Sequence, residues 1–499
     1  MAILDYFKRK KQLPQKRGFQ AAQYNRLVND WVTTSASIDA ELRGTLKTLR
    51  NRTRDLCKNN DYAKNALRAI ENNVIGQGVR MQSQVVQTTG RNANRLNDRV
   101  NTAIESEWAR WCRKDSCHTS GTLSFADIER LLISSVAESG EVFVRIVRKK
   151  FGRSEIPFAL EVLEADYLDD DKNEVLRNGN EVRMGVERDE WQRPVAYYFK
   201  NKHPGDYTFT GTSDRGTIRV PADEVIHLFR QTRPGQTRGF PWFAPAIVRM
   251  HHLHGFEEAE VIKARAQASI MGFIKSESDG ITDGKQDNQR VTNFEPGVIE
   301  HLLPGEEFEG FAPNSPGGQY EPFVRAMLRA VAAGIGVSYE TLSRDYSQSN
   351  YSSSRLALLD DRDNWRTLQQ WVIENFHMVV FDKWLDMAWA AGAVDLPNYT
   401  AQEEMYKAVR FVPRGWSWVD PVKEVNAYKD AVRSGFMTVS DVVAQSGQDY
   451  DELIVARRRE LDIAEENDLT FDTTAGVVAG NGQAAQQPTA PADNTDDQE

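Results

Sequence analysis

The apolar positions of this chain change period several times, and the changes divide it into regions. Residues 39–57 carry Leu42, Leu46, Leu49, Thr53 and Leu56 at alternating spacings of four and three, which predicts one helical face. Asp61 is placed to cap a second helix bearing Ala63, Leu67, Ile70 and Val74. The glycines of IGQG (75–78) should stop it before a short strand, VRMQSQV. A third helix has Leu96, Val100, Ile104, Trp108 and Trp111 on one side. Ser124 followed by Asp127 reads as the reciprocal cap of a fourth, running to Glu138. From Gly140 the period becomes that of strands: GEVFVRIVRKK, ALEVLEADYL, EVRMGVER, PVAYYFK, DYTFTG, TIRV and EVIHLF, separated by Asp/Asn/Gly/Pro turns. The pattern predicts a largely helical α+β fold with one α+β body over residues 39–240.

Helical spacing then returns. PGQTRGFPWFAP (234–245) ends in a proline suited to a first helical turn, and the helix it opens is predicted to reach Gly272, about 40 Å at 1.5 Å per residue. It has no clean apolar stripe, as expected of a helix that packs against other chains or bridges compact bodies. Residues 275–317 are polar, with a hairpin predicted in GVIEHLLPGEEFEGF (297–311). EPFVRAMLRAVAAGIG reads as a second helix ending at Gly334 and Gly336. The polar run LSRDYSQSNYSSSR (342–355) follows. Next comes the longest periodic segment, Arg355 to about Ala391, with Leu359, Trp365, Leu368, Val372, Phe376, Val379, Trp384 and Ala388 on a broad face. Asp420–Pro421 should open a helix with Val422, Val425, Tyr428 and Val432 inward, and two shorter helical pieces fill 439–461. Residues 465–499, rich in Ala, Gln, Gly, Asp and Pro, are expected to be disordered.

Charge narrows the function. The net −10 is carried entirely by ten acids after Arg459, where no Lys or Arg occurs. The rest is formally neutral, so bulk positive charge is not how this protein would grip nucleic acid. No run of about eighteen apolar residues exists to span a membrane. Three cysteines (Cys57, Cys112, Cys117) are too few and too irregular for a disulfide framework, which makes the cytosol the default compartment. The basic start, MAILDYFKRKKQLPQKR, reads as part of a flexible arm over 1–38.

Catalytic signatures are missing: no GxxxxGK[ST] phosphate loop, no HExxH, no GxSxG, no complete GxGxxG. His251 and His254 in HHLH stand three apart on a predicted helix, but nothing completes a metal site, so surface histidines are the expectation. WCRKDSCH (111–118) lacks a second cysteine pair and reads as buried thiols. LDDDKNE (168–174) has Glu174 where a calcium loop needs glycine, leaving a solvated turn. No active site, metal or cofactor is predicted.

One arrangement remains: long helix, polar insert, second helix, polar loop, very long helix. Its order and residues resemble the portal proteins of tailed bacteriophages, the lambda-type family. The likeness covers almost the whole chain and is sharpest in NNDYAKNALRAIENNVIGQGVRMQ (59–82), GQTRGFPWFAPAI (235–247) and LLPGEEFEGFAPNSPGGQYEPFVRAMLRAVAAGIGVSYETLSRDYSQSNYSSSR (302–355). The resemblance implies a ring of twelve subunits at one capsid vertex of the virion, assembled in the bacterial host cytoplasm. Double-stranded DNA would be driven in by terminase and leave later by the same route. The implied partners are the terminase large subunit, head-completion and connector proteins, and the major capsid and scaffold proteins. By the same resemblance, residues 39–240 and 353–415 form a wing, 241–274 and 317–336 two stem helices, 275–316 a clip, 337–352 a tunnel loop and 416–464 a crown.

The resemblance turns Ser343, Arg344, Asp345, Tyr346, Ser347, Gln348, Ser349, Asn350 and Ser352 toward DNA. Hydroxyls and amides exchange weak hydrogen bonds with phosphate or water without reading sequence, whereas many Lys/Arg contacts would trap the duplex. Arg344 would be the strong phosphate partner, Asp345 would temper its charge, and Tyr346 and Tyr351 would pack the loop's base. Lys263, Arg265 and Lys275 are candidates for positive belts on the stem. Two other readings are a head or tail adaptor without a channel, and a metal-dependent nuclease or hydrolase built on LDDDKNE.

Overall fold

The computed structural model describes residues 32–87, 96–206, 216–268, 272–276, 306–310, 320–348, 350–416, 421–446 and 448–467, with isolated positions 26, 30 and 469. Helix α1 (Ile38–Leu42) starts at Ser37, whose hydroxyl accepts the Ala40 N–H. Gly44, at φ +82°, separates it from α2 (Leu46–Asn59). The helix expected over 39–57 is therefore two, because Leu42 and Leu46 remain on one buried side across the break. Asn60, not Asp61, caps α3 (Asp61–Val74), its Oδ1 accepting the Ala63 N–H at 3.0 Å. After strand β1 (Arg80–Ser83), Asn97 caps α4 (Asp98–Trp111), and Ser124 with Asp127 forms the expected capping box on α5 (Phe125–Ser139).

Gly140, φ +90°, turns the chain out of α5. A side chain there would strike the backbone of Phe240, so this corner needs glycine twice over. Strands β2 (Glu141–Val147), β3 (Ala159–Glu164), β4 (Glu174–Val175), β5 (Glu181–Arg183), β6 (Val186–Arg188), β7 (Pro194–Lys200), β8 (Thr217–Pro221) and β9 (Val225–Phe229) follow. They form a three-stranded sheet, β3–β2–β9, and a five-stranded one, β4–β5–β6–β7–β8, with antiparallel pairing throughout. EVRMGVER is a hairpin rather than one strand, since Met184 and Gly185 take positive φ and reverse the chain. Most of DYTFTG lies outside the described residues.

Helix α6 (Ile247–Ala268) begins two residues after Pro245, which sits in the preceding turn, and ends before the expected Gly272. Gly272 instead starts β10 (Gly272–Ser276), which pairs with β11 (Glu306–Gly310) in a register of Ile274 opposite Phe308. The hairpin expected within 297–311 thus gives its second half to a distant strand, a pairing that local turn signals do not reveal; 297–305 lie outside the described residues. Helices α7 (Tyr320–Ile335) and α8 (Tyr339–Ser343) precede α9 (Tyr351–Val372), which continues through a π turn, Ile373–His377, into α10 (Met378–Ala390). After the short α11 (Glu403–Tyr406), β12 (Val409–Val412) pairs antiparallel with β1 and closes the chain's return onto its N-terminal body. Helices α12 (Pro421–Arg433), α13 (Val439–Gln445) and α14 (Tyr450–Glu466) come last.

The main core lies between α3, α4, α5 and the α9–α10 rod. Trp108 meets Trp384 edge-on at 5.0 Å, and Phe125 stacks on Phe376 at 5.6 Å. The rod buries Trp365, Leu368, Val372, Phe376, Trp384 and Ala388 as expected, but Val380 replaces Val379 at full burial. Val379 packs against the same core but is only partly buried, since Phe376, Val380, Trp384 and Ala388 follow one another at spacings of four. Leu359 is exposed as well, because the front of α9 extends past the core. Val422 (72% exposed) and Val425 (41%) are not inward as expected, and none of the described residues of α12 is buried. Among the described residues, Ala464 is the one buried apolar side chain of α12–α14.

Candidate nucleic-acid interface

Between α7 and α9 the chain makes a loop whose polar side chains fall into two classes: those spent on holding its shape and those left outside. The support starts at Ser338, whose hydroxyl caps α8 by accepting the Thr341 N–H at 3.2 Å. Buried Asp361 on α9 accepts from the Ser338 N–H (2.8 Å), the Ser338 hydroxyl (2.7 Å) and the Thr341 hydroxyl (2.7 Å). With Leu342 buried beneath, α8 is fixed on the rod.

Arg344 ends α8 in the left-handed conformation, φ +56°, a region that costs a non-glycine residue roughly 1–2 kcal/mol. Two neighbours hold it there. Asn65 on α3 donates its amide to the Thr341 and Leu342 carbonyls, both at 2.8 Å, and its Oδ1 accepts the Arg344 Nε–H at 2.8 Å. Asp345 accepts from the Ser347 hydroxyl (2.6 Å), the Ser347 N–H (3.0 Å) and the Tyr339 hydroxyl (2.8 Å), with the Arg325 guanidinium of α7 at 3.8 Å. Those hydrogen bonds, Ser347's first, bring the Asp345 carboxyl down to about 2. Ser343 donates to the Tyr339 carbonyl at 2.8 Å and accepts the Asp345 N–H at 3.1 Å. Asn350 caps α9 in a box with Ser353.

Within the single chain these side chains also carry structural tasks. Asp345 organises a turn rather than merely offsetting Arg344. Ser343 spends its one hydroxyl proton on the Tyr339 carbonyl, whereas Asn350 caps α9 by accepting through Oδ1, a bond that does not use its amide N–H groups. Tyr346 is 62% exposed rather than packed at the loop's base. Arg344, Tyr346, Ser347, Gln348 and Ser352 are exposed. Ser349 and the Tyr351 side chain lie outside the described residues.

On α6, Lys263 is half-buried with Glu260 at 3.8 Å, and Arg265 is exposed. Lys275 stands opposite Glu307 in the β10–β11 register, its side chain outside the described residues. Phe256 of α6 stacks on Tyr320 at 5.8 Å and tilts against Phe323 at 4.8 Å, which pairs α6 with α7. The loop and the stem cations therefore belong to one continuous part of the chain, but no direct contact joins Arg344 to Lys263 among the described residues.

The chemical alternatives lose their ligands to other partners. In LDDDKNE, Asp170 pairs with Arg238 at 2.5 Å and Asp169 lies 3.8 Å from Lys200. Glu164, Asp166 and His203 bring ligand atoms within 4.8 Å of one another, yet Arg54 already lies 3.4 Å from Glu164 and 2.6 Å from Asp166. His203 Nδ1 accepts the Gly205 N–H, which puts the neutral ring's proton on Nε2, the nitrogen facing Glu164. The cluster is a charge pair, not a cation cradle. Burial pushes the Cys117 thiol up to about 12 and Cys112 well above its usual value, so neither offers a thiolate. His251 and His254 are exposed on α6.

Sequence reasoning did not single out Asn65, Asp361, Arg325 or Tyr339. Asn65 lies inside the 59–82 stretch and Asp361 inside the periodic run of the rod, but an isolated amide or acid on a helix carries no signal of a partner 20 residues away, as for Asp361, or 276 away, as for Asn65.

With the geometry in place, comparison with known proteins adds the following. Residues 24–369 match the sequence model for phage portal protein, lambda family. The probable portal protein of Halomonas phage phiHAP-1 is 33% identical over 447 residues, covering 88% of this chain and 85% of that protein. Portal protein B of Escherichia phage lambda is 23% identical, covering 87% of each. The portal protein of Escherichia phage N15 is 24% identical over 86% of this chain and 87% of its own. Among solved structures, a chain from the virion of a native gene transfer agent particle aligns with a TM-score of 0.42 and 14% identity, over 81% of this chain and 93% of that one.

Proposed function

Given that the chain belongs to the lambda family of phage portal proteins, we propose that copies of it, twelve in number, close into a ring at one capsid vertex and pass double-stranded DNA through the centre. The loop over 344–350 lines the narrowest part of that channel. The observation that carries this reading is the loop's division of labour. Side chains at its start are tied to the wing (Arg344 to Asn65), to α8 (Asp345 to Tyr339) and to the second stem helix (Asp345 to Arg325 at 3.8 Å), while what it exposes is one guanidinium, one phenol and a set of hydroxyls and amides. A lining of this kind resists deformation yet offers phosphate few strong contacts. Translocation needs every register to be nearly isoenergetic, and each added cationic contact per subunit would deepen and salt-sensitise the trap. Twelve copies of Arg344 give a single charge belt, and Lys263, Arg265 and Lys275 are candidates for further belts on the stem.

In this reading the β10–β11 ribbon and its flanking polar segments are the clip, where terminase docks during packaging and head-completion proteins dock afterwards. Coat and scaffold proteins contact the wing, and α12–α14 form the crown. Its role is that of a conduit and docking platform, without catalysis of its own.

Deleting Tyr346–Gln348 tests the assignment. Rings should still form, as judged by native mass, while packaging or retention of DNA falls sharply. Full packaging with the shortened loop would put the constriction elsewhere, and loss of the ring would make the segment an assembly element instead.

A further inference from the structure

We propose that Asn65 is a positioning residue for this loop: it sets the angle at which Arg344 meets a DNA phosphate, and so couples the wing's core to the channel lining. The inference rests on the channel reading above.

Both ends of the Asn65 amide are committed. The nitrogen donates to the Thr341 and Leu342 carbonyls and the oxygen accepts from Arg344 Nε, all at 2.8 Å. Three bonds to one planar group leave it a single orientation. Its own placement is equally fixed, because α3 buries Ala63, Ala66, Leu67, Ala69 and Ile70 around it. A guanidinium gripped through Nε keeps the plane of its fork. Arg344 is exposed and sits in a left-handed conformation, so without the grip its side chain would have many directions available. With it, each copy in a ring presents the same fork at the same height. A duplex moving through such a belt meets one equivalent contact at each subunit, and that contact is lost both when the arginine is unaimed and when it is absent.

Rings carrying N65A, N65D, R344A and the N65A/R344A pair test this, with packaged DNA per particle as the readout and native mass as the check on assembly. N65D keeps an oxygen to accept from Arg344 but loses the donors to the two carbonyls, so it separates aiming the arginine from capping the helix. N65A and R344A are expected to lower packaged DNA alike, about tenfold, as for loss of one charge-assisted hydrogen bond. The double variant should fall no further, and N65D should stay within about twofold of the unaltered protein, the limit of non-interaction. Normal packaging by N65A overturns the proposal. So does N65D falling as far as N65A, which would make Asn65 only a helix cap, or a double variant worse than either single. If N65A forms no rings, N65D against R344A decides by the same criteria. Normal packaging by R344A would instead overturn the channel reading on which the proposal stands.

Discussion

Glu141 has no exposed surface and accepts from Arg238 Nη2 at 2.5 Å, Arg50 Nη2 at 3.0 Å, His227 Nε2 at 2.9 Å and the Gly239 N–H at 3.0 Å. Burial alone would raise its carboxyl, but the Arg238 charge and the His227 contact bring it far below the usual range. This cluster joins α2, the start of β2 and the segment leading to α6. Glu141→Gln would leave two buried guanidiniums short of their counter-charge, and a loss of about 3–5 kcal/mol is expected in denaturant unfolding. His227 adds a pH dependence. Burial, outweighing its bond to Glu141, lowers its pKa below 6.5. The native state therefore refuses a proton that the unfolded chain accepts. His227's contribution to stability is complete above about pH 6.5 and declines as the pH falls below it. The melting temperature should drop on acidification through that range, and His227→Gln should flatten the part of the slope that His227 supplies. Little of this was legible in sequence. Glu141 and Arg238 read as an ordinary strand residue and an ordinary loop residue, and only the folded chain brings them together.

Local signals fared well where the physics is local. The Ser124–Asp127 box was readable because donor and acceptor are three residues apart. The long rod was readable because its apolar face is one sustained period. Errors arose where one pattern serves two backbones, as at Gly44, where the stripe of α1 and α2 runs on across a turn. They also arose where a partner is remote, as in the β10–β11 pairing. The last helices teach the same lesson differently. Periodicity placed Val422 and Val425 inward, yet both are exposed in the folded chain, because an apolar stripe does not say what covers it. Helices of 13, 7 and 17 residues with Ala464 as their buried apolar residue are marginal alone. Amides of α12 and α13 should exchange with deuterium far faster than those of α3 and α5 in the free protomer, and gain protection on assembly. Val422→Asp with Val425→Asp should change protomer stability by no more than about 0.5 kcal/mol, as exposed sites do, while weakening assembly measured by sedimentation.

At the scale of the molecule, these features converge on a subunit that is incomplete by itself. The region packed around α3–α5 and the α9–α10 rod has a dense aromatic core, whereas the terminal helices, the front of α9 with Leu356 at 70% exposure, and Val248, Val261 and Ile262 on α6 carry exposed apolar side chains. The family relationship was legible from sequence because it rests on long runs of residues, not on any one contact. Which side chains hold the loop and which face outward was not, since that division depends on helices joined only by folding. An electron-microscopy map of the purified assembly is the most direct test of the central claim. It should contain a closed ring with residues 344–350 of every copy converging on the narrowest point of a channel wide enough for a duplex. A stable lone protomer under assembly conditions, or a ring whose 344–350 loops point away from the axis, would contradict it.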